Sequence, residues 1–136
     1  MPPFFDTNIL VYFVDRDEPE KQAVARGLVQ EHLIEGEGMM SVQVLREFYW
    51  AARKLRHPLS EEKAREAVRN FARFSPLAED ARMVLRAVDR TREMSISFWE
   101  ALIVEAALKG GADRLLTEDM QHGEVIESMR VENPFL

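Results

Sequence analysis

Four carboxylates of this 136-residue chain stand where an acid can do chemistry: Asp6, Glu47, Glu100 and Asp119. Asp6 ends the apolar run Pro3-Phe4-Phe5 and is followed by Thr7 and Asn8. Asp119 comes shortly after Leu115-Leu116-Thr117. Ligands of open α/β sheets gather outside the carboxyl ends of the strands. If the two runs are parallel neighbouring strands, both acids therefore reach one rim. Acids gathered at a rim repel each other. Two carboxylates ~4 Å apart do so by about 4 kcal/mol at an effective dielectric of ~20. Such a cluster raises pKa values or destabilises the chain unless a cation offsets the charge.

Helical periodicity places the other two acids. At about 100° per residue, Glu105 and Lys109 fall together and are expected to form a solvent-face ion pair. Glu100 lies about 140° from Glu105 and shares its side with Ile103, Val104 and Ala107, where an unpaired carboxylate is costly. Glu47 edges the stripe of Val44, Phe48, Ala51 and Leu55. Each acid also has a local reading. Asp6 can cap the helix after it, Glu100 can close a capping box from Ser97, Asp119 can belong to a turn, and Glu47 can be solvated.

These acids need elements to position them. Pro3–Phe5 reads as a strand, and Ile9 to Phe13 as a short helix. A longer helix starts near Pro19 and runs to about Ile34, where Gly36 and Gly38 break it. Met39-Met40-Ser41 is a brief strand candidate. Val44, Leu45, Phe48, Ala52 and Leu55 repeat at helical spacing until Pro58. Ser60 is a plausible N-cap for a helix through Ala64, Ala67, Val68 and Phe71. Phe74–Leu77 is a short strand or connector, and Ala81, Val84, Leu85 and Val88 mark another helix. Phe98–Lys109 is a helix closed by Gly110-Gly111. Arg114–Thr117 and Met129–Glu132 are strands. Strands alternating with helices imply an α/β fold, a central parallel sheet of about four to five short strands flanked by helices.

Composition bounds the function. Apolar residues make up 46% of the chain and cysteine is absent, so a thiol nucleophile and thiolate metal sites are excluded. The N-terminus lacks the pattern of a secretory signal, and no apolar run approaches the ~18 residues of a membrane span. One domain over 1–136, cytoplasmic and without membrane contact, is the expectation. The net charge of −6 argues against nucleic-acid binding through bulk charge. Binding through local basic patches or bound metal stays open.

In order and spacing, four segments resemble the motifs of the PIN-domain ribonucleases, among them the VapC-type toxins of toxin–antitoxin pairs. They are Phe5-Asp6-Thr7-Asn8-Ile9-Leu10-Val11-Tyr12, Ser41-Val42-Gln43-Val44-Leu45-Arg46-Glu47-Phe48-Tyr49, Ser97-Phe98-Trp99-Glu100-Ala101-Leu102-Ile103 and Leu115-Leu116-Thr117-Glu118-Asp119-Met120-Gln121-His122-Gly123. The resemblance implies a PIN-like sandwich and hydrolysis of RNA phosphodiester bonds. It also implies that Asp6, Glu47, Glu100 and Asp119 hold Mg²⁺ or Mn²⁺, with Thr7, Asn8 and Thr117 in support. Hard oxygen donors suit such cations. The third motif more often carries Asp where this chain has Glu100. A small antitoxin partner and a homodimer are further implications.

RNA needs basic residues as well. Arg46, Arg53 and Lys54 share a helix with Glu47 and are the preferred RNA-facing group. Arginines in the ladders Arg65, Arg69, Arg73 and Arg82, Arg86, Arg90 read as solvated faces. Trp50 and Trp99 have the chemistry to stack on bases, but beside apolar residues at helical spacing they read as core or interface. His122 reads as a loop residue, and His32 and His57 show no ligand spacing. Two other functions compete. One is a PIN-like module that binds RNA or protein without cleaving. The other is phosphoryl transfer through an aspartyl intermediate at Asp6, disfavoured because Asn8 stands where a second Asp is wanted.

Overall fold

The computed structural model describes residues 2–136. Strands β1 (Pro3–Phe5), β2 (Arg114–Leu116), β3 (Val125–Ile126) and β4 (Met129–Glu132) form one sheet in the order β1-β2-β4-β3. Pairing is parallel from β1 through β2 to β4. The helices are α1 (Thr7–Val14), α2 (Pro19–Leu28), α3 (Val42–Ala52), α4 (Glu61–Ala72), α5 (Ala81–Met94) and α6 (Phe98–Lys109). After α2 the chain continues as a π-helical turn over Val29–Ile34, in which the Glu35 amide reaches back to Gln30 O at 3.0 Å.

Buried parallel strands read as unbroken apolar runs because both faces are covered. Phe4, Phe5, Leu115, Leu116 and Val131 are accordingly all sealed from solvent. They share one core with Ile9, Leu10, Val44, Phe48 and Val104. Edge-on aromatic contacts between Phe13 and Phe71 (5.7 Å) and Phe48 and Phe71 (5.3 Å) bind α1, α3 and α4 together.

The sheet departs from the expected all-parallel arrangement at its edge. Val125–Ile126, unmarked in the sequence, pairs antiparallel with β4. Two residues are too few for a period-2 signal. The hairpin loop between them places Glu127 at φ 57°, the left-handed conformation such tight turns demand. Met39–Ser41 does not extend into a strand. It makes single parallel bridges, Phe4 to Met39 and Ser41 to Leu77, before Ser41 caps α3. The segment is squeezed between Gly38 and the helix, so pairing has no length in which to propagate.

Helix α6 corrects a second expectation. Residues 101 to 107 are all buried, Glu105 included. Glu105 does not pair with Lys109. It accepts from Arg90 Nε at 2.5 Å, Arg90 also reaches Glu127 at 2.7 Å, and Lys109 pairs instead with Asp80 at 3.0 Å. The wheel put Glu105 outward because it is polar. In the folded chain α5 lies across that side and supplies a guanidinium. Among the described residues no helix is long and apolar enough to cross a membrane.

Candidate active site

The register of two strands brings the first acid to the last motif. Phe5 lies opposite Leu116. The Asp6 amide then bonds Leu116 O at 3.0 Å, and Thr117 follows at the same level just past the end of β2. The Thr117 hydroxyl donates to Asp6 Oδ2 at 2.8 Å. Asp6 Oδ1 takes the Thr7 amide at 2.7 Å, so Asp6 also caps α1. The local reading of Asp6 and its place at the rim thus hold together.

Asn8, the second residue of α1, ties the two loops together. Its Nδ2 donates to Thr117 Oγ1 at 3.3 Å and to Asp119 Oδ2 at 3.1 Å, and its Oδ1 accepts the Glu118 amide at 3.2 Å. The Asp119 amide donates to Thr117 Oγ1 at 3.1 Å. Glu47 reaches in from α3. Its Oε1 accepts from the Thr7 hydroxyl at 2.7 Å and its Oε2 from Gln43 Nε2 at 3.2 Å. Thr7, Asn8 and Thr117 therefore each bond a carboxylate.

Glu100 lies at the start of α6. The capping box is present: Ser97 Oγ accepts the Glu100 amide at 3.0 Å, and Glu100 Oε1 accepts the Ser97 amide at 3.1 Å. Glu100 also lines the cleft of about 720 Å³ that Asp6, Glu47 and Asp119 line. Capping engages only one of its two oxygens.

Burial and charge conflict at Asp6. It is 8% exposed. Burial pushes its carboxyl up to about 6, partly opposed by the bonds from Thr117 and Thr7 and reinforced by the charges of Asp119 and Glu47. The one basic residue lining the cleft among the described residues is Arg46, and its guanidinium is paired to Glu79 at 2.7 Å. A fifth acid, Asp15 at the end of α1, lines the same cleft.

The donor set is one of hard oxygens, as a hard divalent cation requires. Among the described residues, however, no three His, Asp or Glu side chains converge on a common point. Mg²⁺ commonly keeps several waters and takes only one or two carboxylates from the protein. The residues fit that mode rather than a cage of protein ligands.

The basic residues divide. Arg46 lines the cleft. Arg53 donates to Leu59 O at 2.9 Å, closing the end of α3. Lys54 Nζ stands 3.8 Å from the centre of the Trp50 ring. Trp50 and Trp99 do not belong to the core: they are 65% and 60% exposed, and both line the cleft. Glu118, beside Asp119, is engaged elsewhere. It accepts from the Tyr12 hydroxyl and from Lys21 Nζ (2.9 Å), and these bonds pull it below the usual carboxylate range against the effect of its burial.

Two residues of the site escaped the sequence reading. Asp15 gave no signal, because an acid after a short helix is ordinary. Gln43 gave a faint one. It precedes Glu47 by four residues, hence shares its helix face, and it is 2% exposed among apolar neighbours.

Comparison with known proteins agrees with the fold. The family model for the PIN domain matches residues 4–126. No curated protein sequence matches the chain. Three solved structures share the fold at low identity. VapBC2 from Rickettsia felis, bound to a promoter DNA fragment, has a TM-score of 0.67 at 19% identity over 98% of each chain. A toxin–antitoxin complex from Klebsiella pneumoniae has a TM-score of 0.70 at 22% identity over 97% of each. Mycobacterium tuberculosis VapC20, a toxin that cleaves the sarcin–ricin loop, has a TM-score of 0.61 at 19% identity, covering 83% of this chain and 86% of that one. With a family match over most of its length and the acids of four separate segments lining one cleft, the chain belongs to the PIN domain family.

Proposed function

We propose that this protein is a Mg²⁺- or Mn²⁺-dependent endoribonuclease and the toxin of a type II toxin–antitoxin pair. The observation that carries the reading is the surplus of negative charge in the cleft. Five acids line it, one of them buried and pushed up to about 6, and its single arginine is already paired. Such a surplus is what a cation site looks like when judged by its protein atoms alone. The comparisons support the toxin half, since the structures of like fold are named as toxins or toxin–antitoxin complexes.

Asp6, Glu47, Glu100 and Asp119 would hold the cation, with water completing its shell. When bound, such a cation polarises the phosphate, lowers the pKa of a coordinated water and orients in-line attack. The chain's own residues do the rest. Thr117 and the Thr7 amide fix both oxygens of Asp6, Asn8 fixes Asp119, and Thr7 with Gln43 fixes Glu47. Every one of these bonds is donated to a carboxylate oxygen, so each favours the ionised form a cation needs. Arg46 and Lys54 stand at the rim to meet the RNA backbone, and Trp50 and Trp99 offer exposed faces for bases.

A cognate antitoxin, a homodimer and a cytoplasmic setting belong to the same proposal. An antitoxin that places a basic side chain among the acids would silence the site by replacing the cation. Expression in a bacterial host tests the whole reading. Wild type is expected to arrest growth with loss of a discrete RNA species, and Asp6→Asn to be tolerated. Equal tolerance of both proteins at equal expression would contradict it.

A further inference from the structure

Gln43 is sealed in the interior, yet its amide is engaged in polar bonds. Its Nε2 carries two hydrogens, and two acceptors take them: Glu47 Oε2 at 3.2 Å and Trp99 O at 3.2 Å. Its Oε1 is buried and finds no donor among the described residues. Turning the amide over does not relieve this. It would set Oε1 against a carboxylate and a carbonyl, two acceptors, so the chemistry of the neighbours fixes the orientation. A buried polar group that leaves half its capacity unmet is ordinarily selected against. The half that is met spans two helices that reach the cleft from different sides, α3 with Glu47 and α6 with Trp99 and Glu100.

We propose that Gln43 is a positioning residue: its amide couples the Glu47 carboxylate on α3 to the start of α6 and so sets the spacing between Glu47 and Glu100 across the cleft. The inference rests on the reading of the cleft as a cation site. With Thr7 on one oxygen and Gln43 on the other, Glu47 is held in one rotamer. Without Gln43 one of its oxygens is released, and the peptide carrying Trp99 loses its tether to α3. Partners that orient a ligand typically change metal affinity 10- to 100-fold when removed.

The test is a Mn²⁺ titration of the full chain, with the metal-free melting temperature measured alongside, for wild type, Gln43→Met, Glu47→Ala and the double variant. Met fills similar space and removes the unpaired Oε1 together with the two bonds from Nε2, so the melting temperature is expected to shift little. Mn²⁺ binding is expected to weaken about 10-fold in Gln43→Met, and the same change is expected to add nothing once Glu47 is Ala. On a short single-stranded RNA, kcat should fall while KM stays. Should Gln43→Met fail to fold, Gln43→Leu takes its place. It too lacks the donor to Glu47 and should weaken Mn²⁺ binding likewise. Unchanged Mn²⁺ affinity in a folded Gln43 variant overturns the positioning role while leaving the cation site intact, as does an equal loss in the Glu47→Ala background. Unfolding of both Gln43 variants overturns it in favour of a purely structural role. A wild type that binds no Mn²⁺ overturns the cation site itself, a result distinct from the others.

Discussion

Asp6 keeps a carboxyl in a place that resists its charge. The folded value of about 6 lies above the ordinary 3.8, so the folded chain takes up a proton where the unfolded chain has already lost one. Stability therefore falls as pH rises from about 4 to 6 and is flat above, a loss of roughly 3 kcal/mol from this group if the whole shift is realised. Asp6→Asn removes the charge but weakens the bond from Thr117. The metal-free variant is expected to be more stable than wild type by about 1–3 kcal/mol at pH 7.5, with the gain gone by pH 4, as denaturant titrations at the two pH values would reveal. A variant less stable than wild type at pH 7.5 contradicts the origin of the shift. Glu100 allows its cap and its proposed role toward the cation to be separated. Glu100→Gln keeps an acceptor for the Ser97 amide, so stability should hold while activity falls at least 10-fold. Ser97→Ala should cost about 1 kcal/mol of stability and leave the turnover of folded protein unchanged. If instead Glu100→Gln is fully active, Glu100 is a cap and nothing more. The cap and the proposed cation role of Glu100 could both be read in the sequence, because a capping box and an apolar helix face each have a spacing. Gln43 could not be read in the same way: a buried amide announces itself only through its partners, and Trp99 is far away in sequence.

At the level of elements, the legible features were those with a period or a stop signal. The strand at Pro3–Phe5, the caps Ser60 and Ser97 and the break after Lys109 all rest on local chemistry. What stayed hidden depends on a neighbour. A two-residue edge strand has no period. The polarity of Glu105 points outward on a wheel, and only the packing of α5 on α6 turns it into a buried partner of Arg90. That ion pair carries its own prediction. Arg90 is only 13% exposed at its side chain and Glu105 6%. Arg90→Met should then destabilise the protein by about 3–5 kcal/mol, because it strands a buried carboxylate, whereas changing both residues to well-packed apolar ones should cost much less. Equal losses in the single and double variants, measured by chemical denaturation, would show that packing and not charge binds α5 to α6. The pair is remote from the acid-lined cleft, so turnover per folded molecule should not change.

Across the whole molecule the problem is how a chain of net charge −6 would handle the polyanion that the proposed function requires. Its negative surplus is concentrated in the cleft where a cation would neutralise it, and basic groups stand at the rim, with Arg46 lining the cleft and Lys54 over Trp50. Neutralising Arg46 and Lys54 together should weaken RNA binding and flatten its dependence on salt. An unchanged salt slope would mean that the RNA approaches by another face. Trp99→Ala should weaken the binding of single-stranded RNA by about 1–3 kcal/mol if a base stacks there. An unaltered affinity would assign that exposed ring to a protein partner. The gathering of Asp6 and Asp119 at one rim followed from the sequence once β1 and β2 were taken as parallel neighbours. The exposure of both tryptophans did not follow, because helical spacing cannot tell a core stripe from the wall of an open cleft. The most direct test of the account is cleavage of a labelled single-stranded RNA by purified protein, with and without chelator and added Mg²⁺ or Mn²⁺. Cutting should require the cation, and Asp6→Asn and Asp119→Asn should each abolish it while remaining folded. Cutting that persists in chelator, or in either folded variant, would contradict it.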